Sequence, residues 1–304
     1  MRRAISTLAV AVVLLVSACG TGGSTTTDAK GCPGDGTVRM GVQPFLAATK
    51  LTAAYDELGR ALSTALGCTV TVAVTTDYAA ETEAMRAGQL EIAEFPPFGY
   101  VLAKDRAKLV PIATFGDAQG RVSTATAGIA VLAGSPITDL KGLAGRTVGF
   151  TAPTATSGHL LPAYGLHQAG VDPNTGINPV YLGTHTAVYQ ALLNGRVDAA
   201  ELASTQIAAA TSAKIYDPAK IRLLWRSEPS PSDPLVVRGD LPQAFQQRLR
   251  DAVLGLDFAA FTPSTRDFFA GTVMAQRYVP ADDSTYSSVR EVVTALKLTA
   301  SSVK

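Results

Sequence analysis

Residues 78–93 read YAAETEAMRAGQLEIA, and residues 185–200 read HTAVYQALLNGRVDAA. Each segment follows an apolar strand pattern, begins with a polar aromatic side chain, places a glycine ten residues later and continues into a short apolar strand. Solenoids repeat at 20–50 residues, so two copies about a hundred residues apart indicate two similar α/β lobes. Chance similarity is the alternative interpretation.

Strand and helix patterns alternate around the first copy. β-Branched or apolar runs predict strands, one of them buried, and an amphipathic run that ends at a glycine predicts a helix. The predicted elements are the strand Val38–Val42, the helix Leu51–Leu66 ended by Gly67, the buried strand Val70–Val74, the helix Thr82–Arg86 and the strand Leu90–Ala93. This alternation predicts an α/β fold with mainly parallel sheets flanked by helices.

The length and chain order predict how the lobes are divided. A chain of 304 residues is long enough for two compact domains. We expect residues 37–122 and 229–304 to form lobe 1, and residues 123–228 to form lobe 2. The chain then crosses twice between the lobes, and the two crossings form a hinge.

The composition and the motifs exclude several function classes. The 26 basic residues against 25 acidic ones argue against a nucleic-acid partner. The sequence contains no nucleotide P-loop or nucleophile elbow, and its three histidines are not at metal-ligand spacings. We therefore predict no metal, cofactor or catalytic residue. Acidic residues at 56–57, 81 and 83 are interpreted as solvated helix faces, His159 and His167 as surface or capping groups, and Asp282-Asp283 as a turn.

The N-terminus is interpreted as an export signal. Arg2-Arg3 precedes the uncharged run Ala4–Ala18, which is short for a membrane span. Small residues before Cys19 resemble a bacterial lipobox, so we predict a signal peptide at 1–18, lipidation of Cys19 and a flexible tether at 19–36. The mature chain would be anchored to the outer face of the cell membrane. An ordinary cleavage site with a chance cysteine is the alternative.

Two cysteines remain in the mature chain. Cys32 precedes the first predicted strand and Cys68 precedes the next, so parallel pairing of those strands would place both at one end of the sheet. An even number of cysteines in an exported chain favours a disulfide. Two free thiols are the alternative.

Three strand-to-helix junctions are candidates for a ligand site. They lie at Tyr78, at His185 and after the predicted strand Thr147–Phe150, where Thr156-Ser157 opens a helix pattern. In open α/β sheets ligands bind where strands end and helices begin, and a helix N-terminus offers free N–H donors to an anion. The alternative for the hydroxyl cluster is a plain helix cap.

With these residues in view, the chain resembles the phosphate/phosphite/phosphonate substrate-binding proteins of ABC importers, which are two-lobed type II periplasmic binding proteins. The resemblance covers about residues 38–256 and depends on five motifs. They are residues 76–80 (TDYAA), 86–93 (RAGQLEIA), 156–158 (TSG), 183–185 (GTH) and 232–237 (SDPLVV).

The resemblance implies cleft residues at the first and third junctions. Tyr78 matches the family's aromatic hydroxyl, and Phe95 stands where an aromatic residue, often tyrosine, lines the cleft. Ala155, Thr156 and Ser157 fall on a Ser-Thr-Ser stretch that wraps phosphoryl oxygens. The first hydroxyl is lost here, but backbone N–H groups need no side chain.

The resemblance also implies three residues that determine ligand choice. His185 matches a histidine that hydrogen-bonds the ligand, and Asp233 matches an aspartate in a loop near the hinge. A carboxylate beside an oxyanion is repulsive unless a proton lies between them, so Asp233 should favour a ligand with a P–OH group over sulfate. Thr205 occupies the place where amine-binding members carry Glu, which argues against aminoalkylphosphonates. The alternative for Asp233 is a turn residue before Pro234.

The predicted function is capture of a phosphorus oxyanion (phosphate, phosphite or a small phosphonate) by a monomeric protein. The partners implied are the permease and ATPase subunits of an ABC importer, with membrane contact through Cys19. One alternative keeps the scaffold and changes the ligand to a sulfonate, a nitrate or an organic cofactor precursor. Another is an exported enzyme that uses His185 and Asp233 as an acid/base pair, although the sequence offers no nucleophile for it.

Overall fold

The structure is a computed structural model that describes residues 27–299. Cys19 and the predicted signal peptide lie outside this range. Among the helices between residues 27 and 299, none is both long and apolar enough to cross a bilayer.

Strands and helices alternate along most of the described chain. The strands are β1 Thr37–Val42, β2 Thr69–Val74, β3 Ile92–Glu94, β4 Leu109–Gly116, β5 Thr124–Ala125, β6 Gly128–Leu132, β7 Thr147–Phe150, β8 Asn178–Tyr181, β9 Ala199–Glu201, β10 Ile221–Arg226, β11 Ser230–Pro231, β12 Pro234–Arg238 and β13 Arg277–Pro280. The α-helices are α1 Ala48–Leu66, α2 Tyr78–Arg86, α3 Pro97–Ala103, α4 Leu161–Gln168, α5 His185–Leu193, α6 Ser204–Ser212, α7 Gln243–Leu254, α8 Pro263–Phe268 and α9 Ser287–Ala295.

Two separate sheets form the cores of two lobes, in agreement with the predicted two-lobed α/β fold. The first has the strand order β13-β4-β12-β3-β1-β2, and the second has the order β10-β6-β9-β7-β8. The sheets are mixed rather than mainly parallel. β4 and β12 are the strands before and after the excursion into the other lobe, and they pair antiparallel. β6 and β10 begin and end that excursion and also pair antiparallel.

The two chain crossings are themselves paired. β5 lies on the outgoing crossing and β11 on the returning one, and the two form an antiparallel ribbon that matches Ala125 with Ser230 and Thr124 with Pro231. This ribbon is the hinge between the lobes.

The strand at residues 69–74 differs from its predicted burial. β2 is the edge strand of the first sheet and pairs with β1 alone. Its residues alternate, with Thr69 and Thr71 exposed and Val70 buried. An edge strand covered on one face needs apolar side chains only at every second position, which explains the difference.

The first lobe is closed at its base by a disulfide. β1 and β2 are parallel and pair Thr37 with Thr69, so the residues that precede them lie together. Cys32 and Cys68 are bonded, with their Cα atoms 5.8 Å apart. The predicted disulfide is confirmed. Gly67, which ends α1, has a φ of 71°. Its N–H donates to the backbone carbonyl of Ser63, as expected for a left-handed helix cap.

The second lobe contains the single tryptophan of the sequence. Trp225 of β10 packs over Gly165 of α4, where a Cβ atom would come within 2.6 Å of the indole. This close approach requires glycine at position 165. Trp225 also lines a groove that reaches Val289 and Val292 of α9. Since α9 packs on α3 of the first lobe, this groove lies between the lobes.

Candidate functional site

A cavity of about 80 Å³ lies between the two lobes, next to the hinge. A water-sized group needs about 10–15 Å³ of such space, so the cavity fits an occupant of only a few heavy atoms. Both lobes and both crossings contribute to its wall. The polar side chains that line it are Gln43, Tyr78, Glu94, Thr156, Ser157, His185, Thr205, Gln206, Ser230, Ser232, Asp233 and Thr272.

The two sequence repeats place Tyr78 and His185 at this cavity. Each is the first residue of a helix, α2 or α5. The residue before each caps its helix, because Asp77 accepts from the N–H of Ala80 and Thr184 accepts from the N–H of Ala187. The caps stabilise the first turns of both helices, whose first residues line the cavity between the lobes.

A helical turn after β7 supplies the third side of the cavity. Thr156–Leu160 forms a π-helical turn that continues directly into α4. The first N–H groups of a helix have no acceptor within it, so this end can offer donors to an anion. The Thr156 hydroxyl accepts a hydrogen bond from the N–H of Phe98 at 2.8 Å, which leaves its own proton free to donate.

Contacts across the gap hold the lobes together around the cavity. Phe98 belongs to α3 of the first lobe, whereas Thr156 belongs to the second. The N–H of His185 also donates to the carbonyl of Phe45 across the gap, at 3.2 Å. Tyr78 forms an apolar cluster with Ala152 and Ala155 of the opposite lobe. These contacts bring the two lobes together around the cavity.

His185 is buried and is oriented by a carboxylate. Its Nδ1 lies 2.7 Å from Oε1 of Glu201, and the same oxygen accepts the Thr151 hydroxyl at 2.8 Å. Burial lowers the pKa of His185, but the charge and hydrogen bond of Glu201, with a further contribution from Asp233, outweigh it and raise the pKa above its ordinary value. With Nδ1 bonded to Glu201, Nε2 is the nitrogen left to donate toward an anion.

Asp233 faces the cavity from the loop between β11 and β12. Its Oδ2 accepts a hydrogen bond from Gln43 Nε2 at 2.6 Å. The Thr114 hydroxyl holds the backbone of this loop, at 3.0 Å from the carbonyl oxygens of both Ser232 and Asp233. Burial raises the pKa of Asp233 to about 7, against the opposing effects of the Gln43 hydrogen bond and the His185 charge.

Most of the predicted site residues meet in this cavity. Among the eight predicted positions, those that line it are Tyr78, Ala155, Thr156, Ser157, His185, Thr205 and Asp233. Phe95 is the exception, since its ring is 1% exposed and packs with Met85, Leu90 and Tyr100 inside the first lobe. Successive strand residues point to opposite faces, so Glu94, and not Phe95, faces the cavity.

Several cavity residues were missed by the sequence analysis. Gln43 directly follows β1, and the rule used for the other junctions, that ligands bind where strands end, could have found it. Ser230 and Ser232 lie on the returning crossing, and Gln206 follows Thr205 on α6. Ser232 begins the motif at residues 232–237, which was used only for Asp233, and no motif marks Ser230 or Gln206.

Two predicted surface residues are buried. Glu81, interpreted as part of a solvated helix face, is 0% exposed and lies on the inner face of α2 with Tyr78 and Met85. His159, interpreted as a surface or capping group, is also buried. Its Nδ1 lies 2.7 Å from the Pro153 carbonyl and its Nε2 lies 3.0 Å from the Tyr181 hydroxyl, so it anchors the chain just before the Thr156 turn.

Comparisons with known proteins identify the family. The family described as "ABC transporter, phosphonate, periplasmic substrate-binding protein" matches residues 40–286. The chain belongs to this family. It is 33% identical over 235 residues to the phosphate-import protein PhnD of Mycolicibacterium smegmatis, a match that covers 74% of this chain and 73% of that protein.

Solved structures share the fold. PhnD1 from Prochlorococcus marinus, solved in complex with methylphosphonate, has a TM-score of 0.73 and 22% identity over 86% of this chain and 98% of its own. A binding protein component of an ABC phosphonate transporter from Pseudomonas aeruginosa has a TM-score of 0.74 and 21% identity over 86% of each chain. The fold is that of a type II periplasmic binding protein.

Family membership decides between the two broad functional classes. The protein is an extracytoplasmic substrate-binding component of an ABC transporter rather than an enzyme. The acid/base pair considered for His185 and Asp233 is therefore set aside.

Proposed function

We propose that this protein is a monomer that captures a phosphorus oxyanion without a charged tail and delivers it to an ABC importer. Lipidated Cys19 would anchor it to the outer face of the bacterial cell membrane. The ligand class is phosphate, phosphite or a small phosphonate. The observation that carries the proposal is a small closed cavity in which Thr156, Ser157 and His185 from one lobe face Tyr78 and Asp233 from the other. In it the ligand would bind both lobes and so stabilise the closed form.

The proposed ligand contacts divide into donors and one acceptor. The Thr156–Ser157 helix end, the Tyr78 hydroxyl and His185 Nε2 would donate to phosphoryl oxygens. Asp233, already paired with Gln43, would accept the proton of a P–OH group. Phosphate and related anions carry such a proton near neutral pH, whereas sulfate does not.

Two features favour a ligand with a short, uncharged tail. The cavity holds only a few heavy atoms. Thr205 lines it at the position where amine-binding relatives carry a carboxylate, and a threonine cannot form an ion pair with an ammonium group.

Calorimetry with the chain from residue 20 onward, which contains every described residue, tests the proposal. Phosphate, phosphite and methylphosphonate should bind, and sulfate, nitrate, methanesulfonate and 2-aminoethylphosphonate should bind at least tenfold more weakly. Preference for a sulfonate or nitrate would contradict the proposed ligand class. Lipidation is tested separately, since Cys19→Ala should release the protein from the membrane fraction.

A further inference from the structure

Glu94 is a buried carboxyl group in the wall of the cavity. It is the last residue of β3 and is 1% exposed. Its Oε1 accepts a hydrogen bond from the Tyr55 hydroxyl at 2.6 Å. Its Oε2 is fully buried and has no partner among the described residues.

The strand order places Glu94 beside Gln43 and Asp233. β3 lies between β1 and β12. Within these pairings Glu94 is matched with Val42, the residue before Gln43, and with Leu235, two residues after Asp233. The Gln43–Asp233 hydrogen bond therefore joins the two strands on either side of Glu94. From this position Glu94 lines the cavity next to Gln43 and Asp233.

The surroundings of Glu94 oppose a negative charge. The carboxyl groups of Asp233 and Glu81 and the phenols of Tyr55 and Tyr278 interact electrostatically with it. No lysine or arginine is among the described residues that line the cavity, and His185 is already paired with Glu201. Burial, with a further effect of Asp233, raises the pKa of Glu94 well above its ordinary value, despite the Tyr55 hydrogen bond.

The hydrogen bond from Tyr55 favours one of the two Glu94 oxygens as the position of the acid proton. Because Oε1 accepts from Tyr55, the acid proton of neutral Glu94 belongs on Oε2. A buried O–H without an acceptor costs free energy, and an oxyanion in the cavity would supply that acceptor.

We infer that Glu94 is a ligand-binding residue of this cavity and that its protonated Oε2 donates a hydrogen bond to an unprotonated oxygen of the bound phosphorus oxyanion. The inference rests on the proposed function. Glu94 then complements Asp233, because one carboxyl group donates a proton and the other accepts one. Together they select an anion that has both an ionised oxygen and a P–OH group.

Two substitutions at position 94 test whether the Glu94 side chain acts as a hydrogen-bond donor or through a negative charge. Glu94→Gln keeps an acceptor for Tyr55 and places an N–H donor at the cavity, so its affinity for inorganic phosphate and methylphosphonate should stay within about threefold of the parent. Glu94→Met has a similar length without a donor and should weaken both ligands at least tenfold. Glu81→Gln is the matched control, since Glu81 is equally buried but does not line the cavity.

Difference infrared spectroscopy reads the protonation state directly. The parent should show the carbonyl band of a protonated carboxyl group that is lost in Glu94→Gln and that shifts when methylphosphonate is added. The band lost in Glu81→Gln should not shift with ligand. A structural role for Glu94 would leave its band unmoved by ligand.

The outcomes that would overturn the inference are distinct. A tenfold change in affinity of Glu94→Gln in either direction would show that Glu94 is ionised or that its charge is needed. Parent-like affinity of Glu94→Met would show that Glu94 does not contact the ligand, and the absence of a lost carboxyl band in Glu94→Gln would show that it is not protonated. If the parent binds neither anion, the proposed function fails. The ligand-free spectra then still decide whether Glu94 carries the proton.

Discussion

Glu201 lies directly behind His185, with its Oε1 2.7 Å from the imidazole Nδ1. The carboxylate holds the ring in one tautomer and, by raising its pKa, keeps it cationic to a higher pH than an ordinary histidine. Because the cation is the form that attracts an oxyanion, anion affinity should decline as the pH rises through this raised pKa. Glu201 is therefore a positioning residue for His185 in the proposed ligand site.

Glu201→Gln should weaken methylphosphonate binding about tenfold at pH 8 and by less at pH 5.5. The amide still accepts hydrogen bonds but supplies no charge, so the pKa of His185 falls. The neutral imidazole then predominates at a lower pH than in the parent. Calorimetry at both pH values measures the effect. Glu91→Gln, at another buried and paired glutamate, is the control. Equal losses at the two pH values would contradict the charge argument.

Asp233→Asn should reduce the preference for phosphate over sulfate by tenfold or more. The asparagine amide can donate to a fully ionised oxygen, so the mutant no longer penalises an anion without a proton. Competition calorimetry with the two anions at pH 7 measures the ratio. Asp251→Asn on the exposed face of α7 serves as the control. An unchanged ratio would remove Asp233 from ligand selection.

Thr205→Glu should raise the affinity for 2-aminoethylphosphonate at least tenfold and lower that for phosphate. The introduced carboxylate would pair with the ammonium group and repel an anion without one. Thr205→Gln, similar in size but neutral, should show neither change. The same response from both variants would mean that side-chain size, not charge, controls this position.

Glu81→Leu should stabilise the protein by roughly 1–3 kcal/mol at pH 8, and by less at pH 5. Burial, with further electrostatic effects of the Glu94 and Asp233 carboxyl groups, raises the pKa of Glu81 well above its ordinary value of 4.5. A raised folded-state pKa gives stability that is complete below pH 4.5 and is lost as the pH rises toward the folded-state value. Thermal unfolding at both pH values tests this, and a lower melting temperature of the mutant at pH 8 would contradict it.

The Cys32→Ser/Cys68→Ser double variant should lose about 4 kcal/mol of unfolding free energy. The disulfide closes a loop with a sequence separation of 36, and the entropy of the unfolded chain rises when it is opened. Urea denaturation of the variant, and of the parent with a thiol reductant, should give matching midpoints. A midpoint equal to that of the oxidised parent would show that the bond adds nothing to stability.

Local patterns were sufficient to predict the parts of the site that depend on one strand and the helix after it. Tyr78 and His185 begin capped helices as the repeat indicated, because a cap is a contact within a few residues. The spacing of Tyr78, Glu81 and Met85 also follows one helix face, so the burial of Glu81 was readable from periodicity. The polar side chain obscured that signal.

Contacts that depend on lobe closure could not be predicted in this way. The bonds from Phe98 to Thr156 and from His185 to Phe45 join residues far apart in sequence, and only the relative orientation of the lobes brings them together. Glu94 and Phe95 differ by a single position, and strand alternation decided which one faces the cavity. The resemblance alone placed the aromatic ring there.

The single indole of Trp225 gives this protein an internal optical probe. It lies in the five-stranded sheet of the second lobe and borders the groove that α9 of the first lobe also lines. Any rotation about the β5–β11 ribbon alters the polarity around the ring. Its emission can therefore follow opening and shutting in real time, without an attached dye.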